Sequence, residues 1–135
     1  MSKIHIDHIG IAVADLEETI RIYEKILNAP CLKREVVESE KVETAFFSTG
    51  ESKVELLGAT APDSVIAKYV EKKGQGLHHV AFEVDDIEAE LDRLQKEGFT
   101  LLNEKPKTGA DNKWVAFLHP KGNAGVLIEL CQSKK

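Results

Sequence analysis

A near-repeat inside the chain constrains its fold more than any other feature. Residues 7–17 read DHIGIAVADLE, and residues 78–88, which lie 71 positions further along, read HHVAFEVDDIE without a gap. Self-similarity of this kind indicates two copies of one structural unit. Each copy opens with apolar residues in period-two alternation, which is typical of a half-buried strand, and continues with apolar residues at helical spacing. The repeat therefore predicts two modules that each begin with a strand and a helix.

Further strand-like segments complete both modules. In the first module they cover about 32–38, 41–48 and 53–58, and in the second about 100–102, 114–118 and 125–131. Apolar residues at helical spacing predict a linker helix between the modules, over about 62–73. The predicted fold class is α+β, with two βαβββ modules that form one curved mixed β-sheet. We expect a single domain over residues 1–135, with modules at about 1–60 and 75–133.

Composition narrows the classes of partner. The 135 residues include 18 Lys and Arg against 23 Asp and Glu, and the net charge of −5 argues against nucleic acid as a partner, because phosphate binding requires a basic face. No apolar run approaches the roughly 20 residues that a membrane span needs. Cys31 and Cys131 form no spaced disulfide framework, and the first residues carry no signal-peptide pattern. We expect a cytoplasmic protein that binds neither nucleic acid nor membrane.

Each module places a histidine in its first strand and a glutamate in its last. These residues are His8 and Glu55 in the first module, and His79 and Glu129 in the second. A single such histidine is usually structural, and a single such glutamate usually faces solvent. Both glutamates have apolar neighbours, however, and a buried carboxylate is costly unless it is paired or binds metal. Two matching pairs therefore predict a divalent metal site with mixed nitrogen and oxygen donors, which suits Co, Mn, Ni, Zn or Fe.

Four segments carry a resemblance to a known family. Over essentially the whole chain, the sequence resembles the vicinal oxygen chelate superfamily and, within it, the methylmalonyl-CoA epimerases. The resemblance implies that the metal ligands are His8, Glu55, His79 and Glu129, and that the cofactor is a divalent ion, with Co, Mn, Ni, Zn and Mg as candidates. The segments that carry it are 7–13, 76–85, 119–121 and 125–130.

The resemblance also implies a reaction and its proton-transfer groups. Epimerisation at C2 of methylmalonyl-CoA removes a proton from one face of the carbon and returns it to the other, through an enolate that a divalent ion would stabilise. The resemblance points to Glu43 and Glu129 as the two catalytic residues. Strand alternation is compatible with this role, because Glu43, Ala45 and Phe47 share one face. By the same resemblance we expect an acyl-CoA substrate, a role in propionate metabolism and a homodimer.

A local excess of positive charge lies in the second module, where Asp111 is the only acid between residues 105 and 121. The segment fits a contact region for the phosphates of a CoA tail, and it equally fits a solvated loop. Its candidate substrate-binding residues are Lys105, Lys107, Lys113 and Lys121.

Two other functions remain open for this fold. A glyoxalase I-type lyase would use the same four ligand types on a glutathione thiohemiacetal, but it has no evident need for Glu43. A metal-free, drug-sequestering binding protein would need neither His/Glu pair. A ring-cleaving dioxygenase fits less well, because such enzymes usually use three protein ligands and longer chains. Fold alone does not decide among these functions.

Overall fold

The computed structural model describes residues 4–134, which form eight β-strands and three α-helices. The helices are α1 (Leu16–Leu27), α2 (Val65–Lys73) and α3 (Ile87–Lys96). The strands are β1 (His5–Val13), β2 (Lys33–Val37), β3 (Val42–Thr49), β4 (Ser52–Ala59), β5 (Gly76–Glu83), β6 (Lys107–Gly109), β7 (Lys113–Leu118) and β8 (Ile128–Ser133). They are hydrogen-bonded in the order β2-β3-β4-β1-β5-β8-β7-β6. This mixed eight-stranded sheet with three helices confirms the predicted α+β class.

The described chain divides into two compact units. One unit is Ile9–His78, and the other combines the residues up to His8 with those from His79 onward. That one domain spans residues 1–135 stays a prediction. None of the three α-helices within residues 4–134 is long and apolar enough to cross a bilayer.

In the unit Ile9–His78, helix α1 packs against strands β3 and β4. Asp15 caps the helix, because its side chain accepts a hydrogen bond from the backbone N–H of Glu18. The helix ends at Asn28, whose φ of 51° is left-handed. Ile9 and Ile11 of β1 pack against the same core, as their alternation predicts. The buried residues of this core are Ile20, Ala45, Phe47, Val54 and Leu56.

In the other unit, β8 lies between β5, its parallel neighbour, and β7, its antiparallel neighbour. Asp86 caps α3 by accepting a hydrogen bond from the backbone N–H of Ala89. The apolar face of α3 packs on one face of this sheet region. That core contains Val84, Ile87, Leu91, Ala116 and Leu130.

The opposite face of β5, β7 and β8 carries side chains in three successive layers, because residues two apart in a strand point to the same side. The middle layer is apolar and fully or nearly buried, with Ala81, Cys131 and Val115. One flanking layer contains His79, Glu129 and Phe117, and the other contains Glu83, Ser133 and Lys113. Along each of β5, β7 and β8, a buried residue of the apolar cluster therefore separates a residue of the first flanking group from a residue of the second.

Two strand predictions differ from the structure. Residues near 100–102 form only an isolated bridge between Leu101 and Leu118, and the edge strand is instead β6, further along the chain. Strand β8 begins at Ile128 rather than near residue 125, because Ala124 and Gly125 have left-handed φ angles of 59° and 80°. A left-handed backbone cannot continue an extended strand, so these two residues form the turn that precedes it.

Candidate metal centre

Three of the four predicted ligands lie together at one point in the unit that contains residues from His79 onward. Strands β1, β5 and β8 supply His8, His79 and Glu129, whose residues are only 5–6% exposed. The two histidine Nε2 atoms are 3.1 Å apart. Glu129 Oε1 lies 3.1 Å from His79 Nε2 and 3.6 Å from His8 Nε2. Two imidazole nitrogens and one carboxylate oxygen therefore converge.

The hydrogen bond to Asp7 determines which ring nitrogen of His8 is left without a proton and directed at this cluster. His8 Nδ1 lies 2.8 Å from Asp7 Oδ2. Because an ionised carboxylate can only accept, Nδ1 carries the proton and donates it to Asp7. Neutral His8 then presents an unprotonated Nε2 to the cluster. Metal-binding histidines are commonly oriented by a carboxylate in this way.

Glu129 stays ionised despite its burial. Desolvation raises the pKa of its carboxyl group, but the adjacent imidazoles of His79 and His8 outweigh this and lower the pKa to about 2. A carboxylate that is charged at neutral pH and enclosed by two imidazoles is a hard anionic donor. It is correspondingly a weak base.

The donor set fits a divalent ion. His8 Nε2 and Glu129 Oε1 both present lone pairs, so one proton at most, on His79 Nε2, can bridge the three atoms. A cation with mixed nitrogen and oxygen preference would satisfy all three at once. The ring of Phe117, which stands 5.8 Å from that of His79 in an edge-to-face arrangement, forms an apolar wall beside them.

A buried lysine, which the sequence analysis placed on the substrate, lies beyond the apolar layer. Lys113 is only 8% exposed, and its ammonium group donates to Asp7, Glu83 and Ser133. The ammonium is thus enclosed by protein acceptors and is not available to a CoA phosphate. The structure corrects the prediction for this residue. The sequence did contain a clue to this role, because Lys113 stands at the start of an apolar strand. A lysine that is buried there needs an anionic partner.

The remaining lysines of the predicted phosphate region occupy more accessible positions. Lys105 and Lys121 are exposed, and Lys107 is half-buried at the start of β6. Their role in substrate binding stays a prediction.

Glu55 and Glu43 belong to the other unit, Ile9–His78. Glu55 is buried in β4, where it stands opposite Phe46 of β3. Glu43 is partly exposed in β3, and its Oε2 accepts a 2.8 Å hydrogen bond from Arg34 Nε. Arg34 also binds Glu17 of α1 through both terminal nitrogens. Nothing in the sequence singles out this arginine, which lies across the β2–β3 ladder from Ala45.

Comparisons with known proteins agree with this geometry. Residues 7–117 match the family model described as the Glyoxalase/Bleomycin resistance protein/Dioxygenase superfamily. The chain is 40% identical to the mitochondrial methylmalonyl-CoA epimerase of Homo sapiens, with 95% of this chain and 73% of that protein covered. It is 39% identical to the ethylmalonyl-CoA/methylmalonyl-CoA epimerase of Cereibacter sphaeroides, with 94% of this chain and 96% of that protein covered.

A solved structure extends the similarity to three dimensions. A variant of the Streptomyces coelicolor methylmalonyl-CoA epimerase, in complex with 2-nitronate-propionyl-CoA, superposes with a TM-score of 0.89. The alignment covers 96% of this chain and 94% of that chain at 35% identity. Sequence, fold and the His/Glu cluster agree, and the chain belongs to the Glyoxalase/Bleomycin resistance protein/Dioxygenase superfamily and, within it, to the methylmalonyl-CoA epimerase family.

Proposed function

We propose that this chain is an isomerase that epimerises methylmalonyl-CoA at C2 through metal-stabilised enolate formation and proton transfer between the two faces. The observation that carries the proposal is the convergence of His8, His79 and Glu129 in a chain whose relatives are named as epimerases. The acyl-CoA analogue bound by the Streptomyces coelicolor relative supports a thioester of CoA as the substrate class.

The metal ligands we assign are His8, His79 and Glu129, with Glu55 as the fourth. The resemblance implies this role for Glu55, and its buried position between Val54 and Leu56 is compatible with it. We expect Co, Mn, Ni, Zn or Mg to support the reaction. When bound, the ion supplies a Lewis acid that draws charge from the substrate's thioester oxygen.

As the resemblance implies, we assign Glu43 as the group that moves a proton on one face of C2. Its side chain lies on the face of the β3–β4 pair that packs on α1, and that of Glu55 lies on the opposite face. Arg34 holds Glu43 Oε2 through its Nε, so proton transfer falls to Oε1. The guanidinium orients the carboxylate through this hydrogen bond, and a positioned carboxylate is a suitable proton-transfer group.

Glu129 is the candidate on the opposite face. Its pKa of about 2 makes it a poor base, so we assign it first to the metal. Proton transfer on this face then uses its second oxygen, Oε2, or a water molecule beside it.

We propose that the phosphates of the CoA tail contact the exposed Lys105 and Lys121, with Lys107 beside them. A homodimer, a cytoplasmic location and a role in propionate metabolism complete the proposal. Light scattering coupled to size-exclusion chromatography tests the dimer, which predicts twice the 15.0 kDa chain mass.

The decisive experiment follows deuterium uptake from heavy water at C2 of methylmalonyl-CoA. Chelator-treated protein should lose exchange, and added Co²⁺ or Mn²⁺ should restore it. Glu43→Gln should lower the exchange rate about 10²- to 10⁴-fold, which is the usual contribution of a general acid or base. Glu51→Gln, in the exposed β3–β4 turn, is the matched control and should leave the rate unchanged.

Two results would contradict the proposal. Wild-type protein that binds the metal stoichiometrically but exchanges no C2 proton would exclude the substrate assignment. Activity on methylglyoxal with glutathione, retained in Glu43→Gln, would favour the glyoxalase-type lyase instead.

A further inference from the structure

The ammonium group of Lys113 occupies a fully built cation site inside the protein. Its Nζ lies 3.2 Å from Asp7 Oδ1, 2.5 Å from Glu83 Oε1 and 3.0 Å from Ser133 Oγ. An ammonium has three N–H donors, and each has an acceptor here. Ser133 Oγ also donates to Glu83 Oε2 over 2.8 Å, which closes the network. We call Asp7, Glu83 and Lys113 the lysine cluster.

Asp7 and Glu83 of this cluster, together with Cys131, resemble the ligands of a second metal site, but we do not assign a metal ion to them. One ligand atom each from Asp7, Glu83 and Cys131 lies within 4.8 Å of the others. Burial and the nearby carboxylates raise the pKa of Cys131, so its sulfur remains a thiol. Lys113 already binds both carboxylates. The Lys113 ammonium therefore supplies the positive charge that these two carboxylates require, in the place where a metal ion would otherwise supply it.

Asp7 connects the lysine cluster to the candidate metal centre. Lys113 binds Asp7 Oδ1, and His8 Nδ1 donates to Asp7 Oδ2. The two donors approach from different oxygens, so the carboxylate cannot turn toward one without losing the other. Asp7 is 4% exposed, and water is therefore a poor substitute for either partner.

We infer that Lys113 is a positioning residue for the metal centre: it fixes the Asp7 carboxylate, which in turn holds His8 in the ring orientation and tautomer that present Nε2 to the metal. The inference rests on the proposed function, because it presumes that His8 is a ligand. It reassigns Lys113 from the substrate to the protein interior behind the ligands.

Metal affinity measured with Co²⁺ alone, without substrate, tests this role. Isothermal titration calorimetry gives the dissociation constant, and the visible absorption of bound Co²⁺ reports the ligand geometry. Lys113→Met removes the ammonium and keeps most of the stem. It should weaken Co²⁺ binding about 10- to 100-fold, as loss of a group behind a ligand typically does, and change the visible spectrum.

Glu83→Gln is the matched control. It removes a charge from the same cluster but leaves the contact from Lys113 to Asp7 and the contact from Asp7 to His8 in place. It should lower the melting temperature while the Co²⁺ affinity stays within about threefold of wild type. A purely structural role of the cluster would instead make affinity fall in step with stability in both variants.

If Lys113→Met does not fold, Asp7→Asn provides the test. The amide has one acceptor oxygen in place of two, so His8 and Lys113 must share it, and the Co²⁺ affinity should fall about tenfold. Wild-type affinity and spectrum in every folded variant of Lys113 and Asp7 would overturn the inference alone. Wild-type protein that binds no Co²⁺ would overturn the proposed metal site together with it.

Discussion

Two groups of charges in this protein share one pattern and differ in burial. In the lysine cluster, Lys113 bridges Asp7 and Glu83, whose side chains are 5% and 20% exposed. In the arginine cluster, Arg34 bridges Glu17 and Glu43, whose side chains are 62% and 27% exposed. Each group is one cation between two carboxylates. Because the two groups differ in exposure to solvent, we expect the buried group to hold one geometry and the exposed group to rearrange more readily.

The difference follows from desolvation. Charges removed from water interact strongly, but each one left without a partner is costly, so a buried network has one stable arrangement. Exposed charges interact weakly because water competes for them. A buried network suits a residue that orients a metal ligand. An exposed position suits a carboxylate that must accept a proton and release it again.

The largest expected effect is the loss of stability when the buried cluster loses its cation. Lys113→Met leaves Asp7 and Glu83 without their common partner, so the free energy of unfolding of the metal-free protein should fall by about 3–5 kcal/mol. Urea denaturation followed by circular dichroism measures this. Lys121→Met, at an exposed lysine, should change stability by no more than about 0.5 kcal/mol. Equal effects of the two substitutions would remove the contrast between the clusters.

The pH dependence should sharpen the comparison. Burial opposes the charged forms, but the bond between Glu83 and Lys113 prevails: it lowers the pKa of Glu83 below its ordinary 4.5 and raises that of Lys113 above 10.5. A lowered acid pKa stabilises the fold above pH 4.5, and this contribution is lost as the pH falls through the folded-state value. A raised lysine pKa stabilises it below pH 10.5, and this is lost as the pH rises through the folded-state value.

The stability difference between wild type and Lys113→Met should therefore be largest between pH 4.5 and 10.5 and shrink on both sides. Denaturation midpoints measured across pH 3–11 test this expectation. The arginine cluster provides the contrast. Arg34 keeps its charge throughout, because its bonds to Glu17 and Glu43 raise the pKa of an already strong base. The stability difference between wild type and Arg34→Met should therefore not shrink at alkaline pH.

The smallest expected effect on stability is at Arg34, where activity is the more sensitive measurement. Arg34→Met should leave the denaturation midpoint close to wild type, because the ion pairs it removes are exposed. The C2 exchange rate should nevertheless fall roughly 10- to 100-fold, since Glu43 loses the group that orients it. Glu17→Gln keeps the bond from Arg34 to Glu43 and should leave exchange near normal. An unchanged rate in Arg34→Met would exclude the orienting role.

The repeat explains why the sequence singled out three residues that the structure brings together. His8, His79 and Glu129 were proposed as ligands because equivalent positions of two copies carry the same residue types, and strand alternation aims such positions at one face. The helix caps at Asp15 and Asp86 are of the kind that a sequence can reveal, because capping is a local property of a few neighbouring residues.

The lysine cluster could not be predicted in the same way. Its members lie on β1, β5 and β7, and only the register across strands brings Lys113 opposite Ser133 and near Glu83. A lysine beside the acidic loop residue Asp111 is indistinguishable from a solvated lysine in the sequence. Edge strand β6 was displaced for a similar reason: its three residues are too few to show a period, and pairing with β7 alone defines it.

The candidate metal centre draws on three strands spread along the polypeptide, with 71 residues between His8 and His79 and Glu129 in the last strand, β8. During translation, a nascent chain therefore exposes one ligand, later two, and lacks the third until β8 has left the ribosome. Closing loops of this length also requires the strands to find one another over long sequence distances. We therefore expect capture of an ion at the proposed centre to be a late event in biosynthesis, so that bound metal would mark chains in which β8 is already in place.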